Sequence, residues 1–451
     1  MVVITENRNP VKTIAWVLVF TLLPGIGLVF YFFFGQDNRK QKAIYRRTYK
    51  RIMDVAKGPE LLEDSCQVPI PYRSLSTLIN YSENSPMLYG TEIQIFTDGP
   101  SKFDSVIKEL SEAKHHIHIE YYVWEDDEIG NKIKQVLMEK ARKGVEVRVI
   151  YDDVGSWTTK RSFFNEMKTV GIQIHAFLRV AFPYLTNKVN YRNHRKIIVI
   201  DGKVGFFGGM NIADRYVKGV SWGCWRDTHF KLKGRGVHGL QSIFLLDWYA
   251  TSKEEITDQI YFPDRPVYTK TVLQFVVSGP TLRWRILQQA ALMLIAKAEK
   301  YIYIQTPYFM PTEGLNQVLQ SAALGGIDVR LMIPEKADVV MAHLATSSYL
   351  DVMVKAGVRI LFYQKGFLHA KSLIVDDRVS CIGSANFDFR SFEHNFEVNA
   401  FVYQEDFTKQ MREIFETDQK NCREIEKEVW LQRPKIRRAK ESVMRLFSPL
   451  L

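Results

Sequence analysis

Two stretches of this 451-residue chain carry the same chemically active side chains at the same spacing. Each has a histidine, a lysine two residues later, an aspartate five residues after the lysine, and a small-residue segment that ends in asparagine. The members are His194, Lys196, Asp201, Gly209 and Asn211 in the first stretch, and His369, Lys371, Asp376, Ser384 and Asn386 in the second. Chance matches to such a pattern are rare at average composition, so two matches indicate a duplicated functional motif.

The alternation of side chains along an extended strand explains the His-x-Lys spacing. His194 and Lys196 point to the same side of such a strand, as do His369 and Lys371. Each motif therefore offers an imidazole and an ammonium group to one place. An imidazole can attack phosphorus or move a proton, and ammonium groups stabilise the negative charge of phosphate oxygens.

If the two motifs face each other, their side chains surround a single phosphate group. One histidine would attack phosphorus, while the other protonates the departing alcohol and later takes a proton from the incoming one. The asparagines Asn211 and Asn386 would support the phosphate, together with backbone amides of the small-residue segments around Gly209 and Ser384. This chemistry requires no metal and no other cofactor.

The elements around the motifs are also repeated. The segments that begin at Ile93 and Leu273 both pass from a Gly-Pro pair through a helical stretch to a strand that ends in aromatic residues. In the first copy, Phe103, Val106 and Leu110 recur at the spacing of an amphipathic helix. Alternating strands and helices predict an α/β layered fold in each half. Because the chain is also too long for one hydrophobic core, we expect two duplicated domains.

The overall charge favours an anionic partner. The chain has 61 Lys and Arg against 50 Asp and Glu, a net charge of +11, which suits nucleic acid, an anionic membrane or phosphorylated substrates. With 46% hydrophobic and 25% charged residues it resembles ordinary globular domains, not a disordered chain or a multi-span transporter. The four cysteines, Cys66, Cys224, Cys381 and Cys422, form no CxxC pair, which favours a reducing compartment.

An uncharged segment near the N-terminus has the length of a transmembrane helix. It covers residues 13–34, which is 22 residues, enough to cross a bilayer core of about 30 Å. Many basic residues follow it between Arg39 and Arg51, whereas only Arg8 and Lys12 precede it. The positive-inside rule therefore places the large C-terminal part in the cytoplasm, and the same cations would attract anionic headgroups.

The motifs and the sequence segments around them resemble those of bacterial cardiolipin synthases. The paired motifs are those of the phospholipase D superfamily, and the resemblance spans nearly the whole chain. The segments that indicate the cardiolipin synthase subgroup are NYRNHRK around His194, WRDTH at 225–229, IQTPYF at 304–309, FDFRSFEHNFE at 387–397 and the C-terminal SPLL.

This resemblance implies an α/β fold and a reaction. The fold is two duplicated α/β/α sandwich domains packed with pseudo-twofold symmetry, with the active site in the groove between them and a transmembrane helix in front. The reaction is reversible transfer of a phosphatidyl group between two phosphatidylglycerol molecules, which gives cardiolipin and glycerol through a phosphohistidine. The resemblance also implies that His194 attacks phosphorus and His369 does the acid and base work.

The resemblance also implies supporting residues and a cellular location. Asp227 and Glu397 follow the two motifs at matching places and resemble the carboxylates that hold the other nitrogen of each catalytic imidazole, although plain surface carboxylates are the alternative. The partners implied are phosphatidylglycerol and anionic membrane lipids, not nucleic acid, at the cytoplasmic side of the inner membrane. The oligomeric state stays open. Because such synthases usually begin with two transmembrane helices, this chain either starts late or has one span.

We predict the following domain boundaries from these patterns. They are 1–35 for a tail and transmembrane helix, 36–88 for a basic linker, 89–266 and 267–430 for the two phospholipase D-like domains, and 431–451 for a basic amphipathic tail. The tail suits a helix at a membrane interface, or it caps the second domain.

Three weaker signals have competing interpretations. The cluster His115, His116 and His118 could bind a metal, but a strand edge near the phosphate groove explains it better. The acids Asp126, Asp127, Asp152 and Asp153 suit helix caps, with substrate contact as the alternative. The apolar stretch that begins at Phe177 is either loop packing or part of an acyl-chain entrance.

Three other functions compete with the transferase. The same site with water as the acceptor would be a phospholipase D that makes phosphatidic acid. A nuclease is compatible with the superfamily and the net charge, but the membrane segment and the sequence segments typical of cardiolipin synthases argue against it. A lipid-binding protein without activity is disfavoured because both motifs are intact.

Overall fold

The computed structural model describes residues 10–31, 51–52, 68–83, 85–180, 190–264, 266–280, 282 and 284–449. The strands are β1 (Leu88–Tyr89), β2 (Glu92–Phe96), β3 (His116–Tyr121), β4 (Glu146–Asp152), β5 (Gln173–Phe177), β6 (Lys196–Ile200), β7 (Val204–Gly208), β8 (Cys224–Arg226), β9 (His229–Lys233), β10 (Val272–Ser278), β11 (Tyr301–Gln305), β12 (Phe309–Met310), β13 (Asp328–Pro334), β14 (Arg359–Tyr363), β15 (Gly366–Leu368), β16 (Ser372–Val375), β17 (Val379–Gly383), β18 (Phe387–Asp388), β19 (Glu397–Val402) and β20 (Cys422–Glu424).

Helices alternate with these strands along the chain. They are α1 (Pro10–Leu22), α2 (Pro24–Phe30), α3 (Arg73–Glu83), α4 (Gly99–Glu112), α5 (Glu128–Arg142), α6 (Arg161–Lys168), α7 (Asp214–Lys218), α8 (Gly236–Ser252), α9 (Ile286–Ala296), α10 (Glu313–Leu324), α11 (Val340–Ala356), α12 (Phe389–Glu393), α13 (Glu405–Gln419), α14 (Lys427–Leu431) and α15 (Lys435–Arg445), with single 3₁₀ turns at Ile70–Tyr72 and Gln259–Tyr261.

Two large mixed sheets repeat one topology. The first has the order β2-β9-β7-β6-β3-β4-β5, and the second has β1-β10-β19-β17-β16-β11-β13-β14-β20. Without the edge strands β1 and β20, each strand of the second sheet has a counterpart at the same place in the first. In both sheets the motif strand, β6 or β16, pairs antiparallel with the first of three parallel strands. The duplication expected from the sequence is therefore a duplication of the fold.

The alternation along β6 shows how the layers form. Ile198 and Ile200 enter a core with the outer helices α4, α5 and α6 of the first domain. Ile197 and Val199 enter a different core, which also contains inner-face residues of the second sheet and apolar residues of α8 and α13. Because this second core is shared, the two sheets lie face to face across it. The packing brings the starts of both motif strands close together.

Part of the predicted linker 36–88 belongs to the second domain. Tyr72, Leu75 and Ile79 are completely buried in the core of that domain, and β1 pairs antiparallel with β10. The apolar face of α3 lies against α9, so burial of these side chains stabilises the second domain. The basic composition of the segment concealed this packing.

The N-terminal segment does not form the single helix predicted for residues 13–34. Leu23 has φ −135° and ψ 66°, which separates α1 from α2, because a residue before proline avoids the helical region and Pro24 has no N–H to donate. The ring of Tyr31 lies 5.2 Å from that of Trp16, so α2 folds back on α1. Within the described ranges, none of the helices is both long and apolar enough to cross a bilayer. Residues 32–34 lie outside these ranges.

Candidate active site

The first motif is held by the second domain. His194 lies two residues before β6, and its peptide N–H donates to the carbonyl of Phe396 over 2.9 Å. Its Nδ1 lies 3.0 Å from Oε2 of Glu397. The ring of Tyr122 contacts both His194, at 4.8 Å, and the ammonium group of Lys196, at 5.3 Å. The histidine and the lysine therefore share one place, as the strand alternation predicts.

The second motif is held by the first domain in the same way. β15 pairs parallel with β8, so Leu368 lies opposite Arg226, and the next peptide N–H, of His369, donates to the carbonyl of Arg226 over 2.6 Å. Nδ1 of His369 lies 2.6 Å from Oδ2 of Asp227. The ring of Trp225 lies 5.5 Å from the imidazole. Each imidazole is thus positioned across the boundary between the domains.

The two carboxylates are exchanged between the domains. Glu397 follows the second motif but pairs with His194, and Asp227 follows the first motif but pairs with His369. Both carboxylates are completely buried. A carboxylate that accepts the Nδ1 proton fixes the tautomer and leaves the lone pair on Nε2, which is the atom needed for attack on phosphorus or for proton transfer.

Burial keeps both imidazoles neutral. It lowers the pKa of His194, helped by the Lys196 charge and opposed by Glu397. It lowers the pKa of His369 to about 3, helped by Lys371 and opposed by Asp227. Burial by itself would raise the pKa of Asp227. Lys371 and His369 lower it by a larger amount, so the pKa of that carboxyl lies below its usual value. Each histidine is therefore neutral beside an ionised carboxylate.

The two lysines are also buried and strongly perturbed. Burial lowers the pKa of Lys196 to about 7 and that of Lys371 to about 8, although Glu397 and Asp227 oppose the shift for both. Lys371 also lowers the pKa of His194, and Lys196 lowers that of His369. Because each motif acts on the histidine of the other, the two motifs form one electrostatic site. Desolvated cations interact more strongly with an anion than hydrated ones do.

The small-residue positions differ for a steric reason. A Cβ atom on Gly209 would lie 2.1 Å from Oδ1 of Asp227, and Asp227 is held in place by the peptide N–H of Thr228 at 2.7 Å. At the equivalent position, Ser384 donates its hydroxyl to Oε2 of Glu397 over 2.6 Å. The glycine makes room for one carboxylate, and the serine binds the other.

We expect Gly209→Ser to lower kcat more than Ser384→Gly, although each change copies the residue of the other motif. The added Cβ must displace Asp227 from His369, and a shift of about 1 Å in a catalytic group can cost on the order of 10²-fold in rate. Ser384→Gly removes the hydrogen bond to Glu397 and the one that the hydroxyl accepts from the peptide N–H of Val398 over 3.0 Å, but it displaces no carboxylate, so about tenfold or somewhat more is expected. Steady-state kinetics of both variants, with circular dichroism to check folding, test this. Equal losses would contradict the steric explanation.

The motif aspartates do not reach the histidines. Asp201 and Asp376 lie beyond the far ends of β6 and β16, on the order of 15 Å from the motif lysines by strand geometry. Each accepts three peptide N–H groups at 2.6–3.0 Å, from residues 114–116 for Asp201 and from residues 299–301 for Asp376. The positions of Asp201 and Asp376 therefore do not support the catalytic role predicted for them. They join the motif strand to the start of the neighbouring strand.

We expect Asp201→Asn and Asp376→Asn to lower the unfolding temperature while kcat changes little well below the transition. Asparagine tolerates the left-handed conformations of these residues, at φ 53° and 57°, but its amide cannot accept all three N–H groups. Buried donors left without an acceptor cost about 1 to 3 kcal/mol. Calorimetry and initial rates would separate the effects. A large loss of kcat with unchanged stability would restore a catalytic role.

The motif asparagines are engaged with the protein. Asn211 accepts the peptide N–H of Val123 over 3.1 Å and donates to the hydroxyl of Tyr216 over 2.7 Å. The Tyr216 ring lies 6.1 Å from that of His369, so Asn211 borders the site through it. Asn386 is also buried. Burial raises the pKa of Asp388, and a hydrogen bond from Asn386 offsets part of that rise. These contacts are structural, and direct phosphate contact by either asparagine stays a prediction.

Sequence reasoning missed a buried cation between the motif residues. Arg195 forms an ion pair with Asp247 of α8 and donates to the carbonyl of Glu397 over 3.1 Å. Arg226, which precedes Asp227, pairs with Asp418 of α13 over 2.7 Å. Both acids follow a phenylalanine by three residues in equivalent helices, and this repeated FxxD spacing was the available signal.

The weaker signals have structural roles in part. His116 and His118 are buried and pack against the ring of Tyr261. Asp127 caps α5, as predicted, through the N–H of Gly130. Asp152 is completely buried and accepts the N–H of Asn193 over 2.8 Å, so it supports the approach to the first motif. Most of the stretch that begins at Phe177 lies outside the described residues.

Comparison with known proteins places these features in one family. A family model described as "Cardiolipin synthase, PLD-like domain" matches residues 106–221 and 292–419, and one described as "Phospholipase_D-nuclease N-terminal" matches residues 1–36.

Among curated relatives, a cardiolipin synthase of Geobacillus sp. (strain WCH70) is 42% identical over all of this chain and 91% of its own length. The major cardiolipin synthase ClsA of Bacillus subtilis (strain 168) is 37% identical over all of this chain and 96% of its own. The solved phosphatidylserine synthase of Haemophilus influenzae Rd KW20 has a TM-score of 0.64 at 15% identity, and the match covers 84% of this chain and 100% of that one, which supports the fold.

Proposed function

Because the chain belongs to the family of phospholipase D-like cardiolipin synthases, we propose that it joins two phosphatidylglycerol molecules into cardiolipin and glycerol. The observation that carries the proposal is the pair of neutral histidines, each fixed by a buried carboxylate from the opposite domain, beside two buried lysines. A site of this kind suits two successive displacements at one phosphorus. The enzyme is a phosphatidyltransferase.

The first step transfers the phosphatidyl group to the protein. A bound phosphodiester carries a negative charge, which raises the pKa of the nearby imidazoles and lysines. His369 can then hold a proton, while His194 stays neutral and attacks phosphorus through Nε2. The bond from phosphorus to the glycerol oxygen breaks as His369 gives that oxygen its proton. The products are glycerol and a phosphatidyl-His194 intermediate, with Lys196 and Lys371 beside the phosphate oxygens.

The second step reverses these roles with a new alcohol. The free hydroxyl of a second phosphatidylglycerol loses its proton to His369 and attacks phosphorus, and the bond to His194 breaks. Once cardiolipin has formed, His194 is neutral again and His369 holds the proton until the anionic product leaves. The next phosphodiester that binds raises the pKa of His369 and restores that proton. No proton is gained or lost over the two steps, which is consistent with a reversible exchange.

We further propose that the enzyme acts at the cytoplasmic side of the bacterial inner membrane. Support comes from the uncharged residues 13–34, from the cations between Arg39 and Arg51, and from the family match over residues 1–36. A transmembrane anchor in this segment is part of the same proposal. Protease protection of the N-terminus in sealed vesicles would test the topology.

The reaction is tested with phosphatidylglycerol labelled in its headgroup, incubated with the full chain in lipid and detergent micelles. We expect labelled cardiolipin and released labelled glycerol in equal amounts. Phosphatidic acid with glycerol and no cardiolipin would mean that water is the acceptor, and the enzyme would be a hydrolase. His194→Ala serves as the inactive control.

We expect kcat/KM to fall as the pH rises from about 7 towards 9. In the free enzyme, Lys196 and Lys371 are cations below their lowered pKa values of about 7 and 8, so both charges are lost as the pH rises through those values. Each lost cation removes about tenfold per pH unit once its pKa is passed. Bound phosphate raises both values, so kcat should fall at higher pH than kcat/KM. Lys196→Arg, which keeps its charge, should remove the lower step, and an unchanged profile would contradict the assignment.

A further inference from the structure

The C-terminal helix α15 is fixed to the second domain by buried ion pairs. Glu441 is only 1% exposed and accepts from Arg433 over 2.7 Å and from Arg437 over 3.1 Å. Arg433 also reaches Asp351 of α11 over 2.8 Å, and Arg445 lies 4.4 Å from the ring of Tyr349. The helix is therefore a docked element with a defined outer face.

That outer face is apolar where solvent would be expected. Ile436 and Val443 lie one heptad apart on the same side of α15, and Phe447 follows one turn later, so all three share a row. They are 74%, 51% and 40% exposed, and the neighbouring Leu446 is 77% exposed. Hydrophobic side chains in such a row on a charged helix are typical of helices that lie in a membrane interface.

Basic residues surround this apolar row. Residues 433–449 contain six basic residues and a single acidic residue, the buried Glu441. The exposed cations of the helix are Lys435, Arg437, Arg438, Lys440 and Arg445. An apolar row with cations on both sides is complementary to an anionic lipid surface, where each cation adds attraction to the headgroups.

The helix ends beside the candidate active site. Met444 packs with Ala342 of α11 and with Tyr308 in one apolar cluster. The hydroxyl of Tyr308 donates to Asp338 over 2.8 Å. Burial lowers the pKa of Lys371, and the charge of Asp338 is near enough to oppose part of that shift. The residues that follow Asp338 begin α11 and add exposed apolar groups, including Val340 at 72% exposure. Exposed apolar side chains therefore lie on both α15 and the adjoining start of α11, near the candidate active site.

We propose that α15 and the first turn of α11 form a membrane-binding face that lies on an anionic bilayer and holds the candidate active site at the lipid surface. Lipid binding by this face does not depend on the reaction. The further idea that the face delivers substrate to the candidate active site rests on the proposed function. The face contacts the headgroups and the upper acyl region of the bilayer. A second copy of the chain and a partner protein are the competing occupants.

A fluorescent label tests the proposal directly. A nitrobenzoxadiazole group is attached at Leu446→Cys in the full chain with Cys66, Cys224 and Cys422 replaced by serine. With phosphatidylcholine vesicles that contain phosphatidylglycerol, we expect a blue shift and quenching by brominated lipids, with weaker effects without the anionic lipid. The same label at Lys143→Cys, at the exposed residue that directly follows α5 in the first domain, controls for simple tethering and should show neither effect.

Two results would overturn the proposal. The label at position 446 could stay in water while the protein is bound to anionic vesicles. It could also become buried without vesicles as the protein concentration rises, which would identify an interface between copies. Both readouts are independent of catalysis, so cardiolipin synthesis can fail while lipid insertion succeeds, and the reverse.

A kinetic comparison adds a functional readout. Val443→Asp combined with Leu446→Asp should raise the KM for vesicle phosphatidylglycerol at least about tenfold, because two apolar groups no longer enter the interface. Activity on short-chain phosphatidylglycerol dissolved as monomers should be unchanged. Ile260→Asp, at an exposed apolar residue of the first domain, is the matched control. An equal loss on monomers would mean that the change disturbs the site, and would contradict the proposal.

Discussion

His369→Ala is expected to lose about 10³- to 10⁴-fold in cardiolipin synthesis yet still form the covalent intermediate from an activated substrate. Glycerol is a poor leaving group that needs a proton, and the variant has no acid to supply it. A phosphatidyl ester of nitrophenol needs no proton to leave, so His194 can still attack. Without a base to activate the second alcohol, the phosphatidyl group should accumulate on His194.

His194→Ala should behave differently with the same substrate. It lacks the attacking atom, so neither nitrophenol release nor a covalent adduct is expected. Intact-protein mass spectrometry at alkaline pH, where phosphohistidine survives, detects the adduct, and peptide mapping assigns it to a residue. An adduct on His369 in the His194→Ala variant would reverse the two roles. No adduct in either variant, with both folded, would remove the covalent mechanism.

The second large effect concerns the exchanged carboxylates. Asp227→Asn and Glu397→Gln should each lower kcat by about 10³- to 10⁴-fold, because an amide presents an N–H to Nδ1 and stabilises the wrong tautomer. The pairing of each carboxylate with the histidine of the opposite domain also predicts which histidine loses its function. Asp227→Asn should resemble His369→Ala and trap the adduct, although Asp227 lies in the first domain. Glu397→Gln should resemble His194→Ala and form none.

An exposed carboxylate on α13 provides a control for these variants. Glu413→Gln changes an exposed carboxylate on α13 and should leave kcat within about twofold, as surface changes usually do. Thermal unfolding of each variant separates loss of chemistry from loss of fold. If Asp227→Asn formed no adduct while Glu397→Gln trapped it, each carboxylate would serve the histidine of its own domain, contrary to the contacts described above.

The candidate site is complete only when both domains are packed together. His194 depends on Glu397, which is 203 residues away in the chain, and His369 depends on Asp227, which is 142 residues away. The peptide N–H groups of both histidines are bonded across the same boundary. Mutual dependence of this kind links the shared core between the sheets to catalysis, because any shift of one sheet displaces both imidazoles.

The chemistry and the duplication could be predicted from the sequence alone. The spacing of His194 and Lys196 follows from strand alternation, and its repetition at His369 and Lys371 identifies the motif twice. The helical spacing in α4 and the α/β order of both halves are also local patterns. Such patterns report backbone geometry over a few residues, and the structure confirms the fold that they predict.

The partners of these residues depended on the tertiary structure. The sequence placed Asp227 and Glu397 near the histidines but could not assign them, because the assignment depends on how two sheets pack. It grouped Asp201 with the catalytic residues, whereas the strand carries that side chain to the opposite end, where three N–H groups need an acceptor. It also missed α3 as part of the second domain, since burial of a short helix is decided by the surface that receives it. Local spacing determines which groups are present, and only long-range packing determines which groups meet.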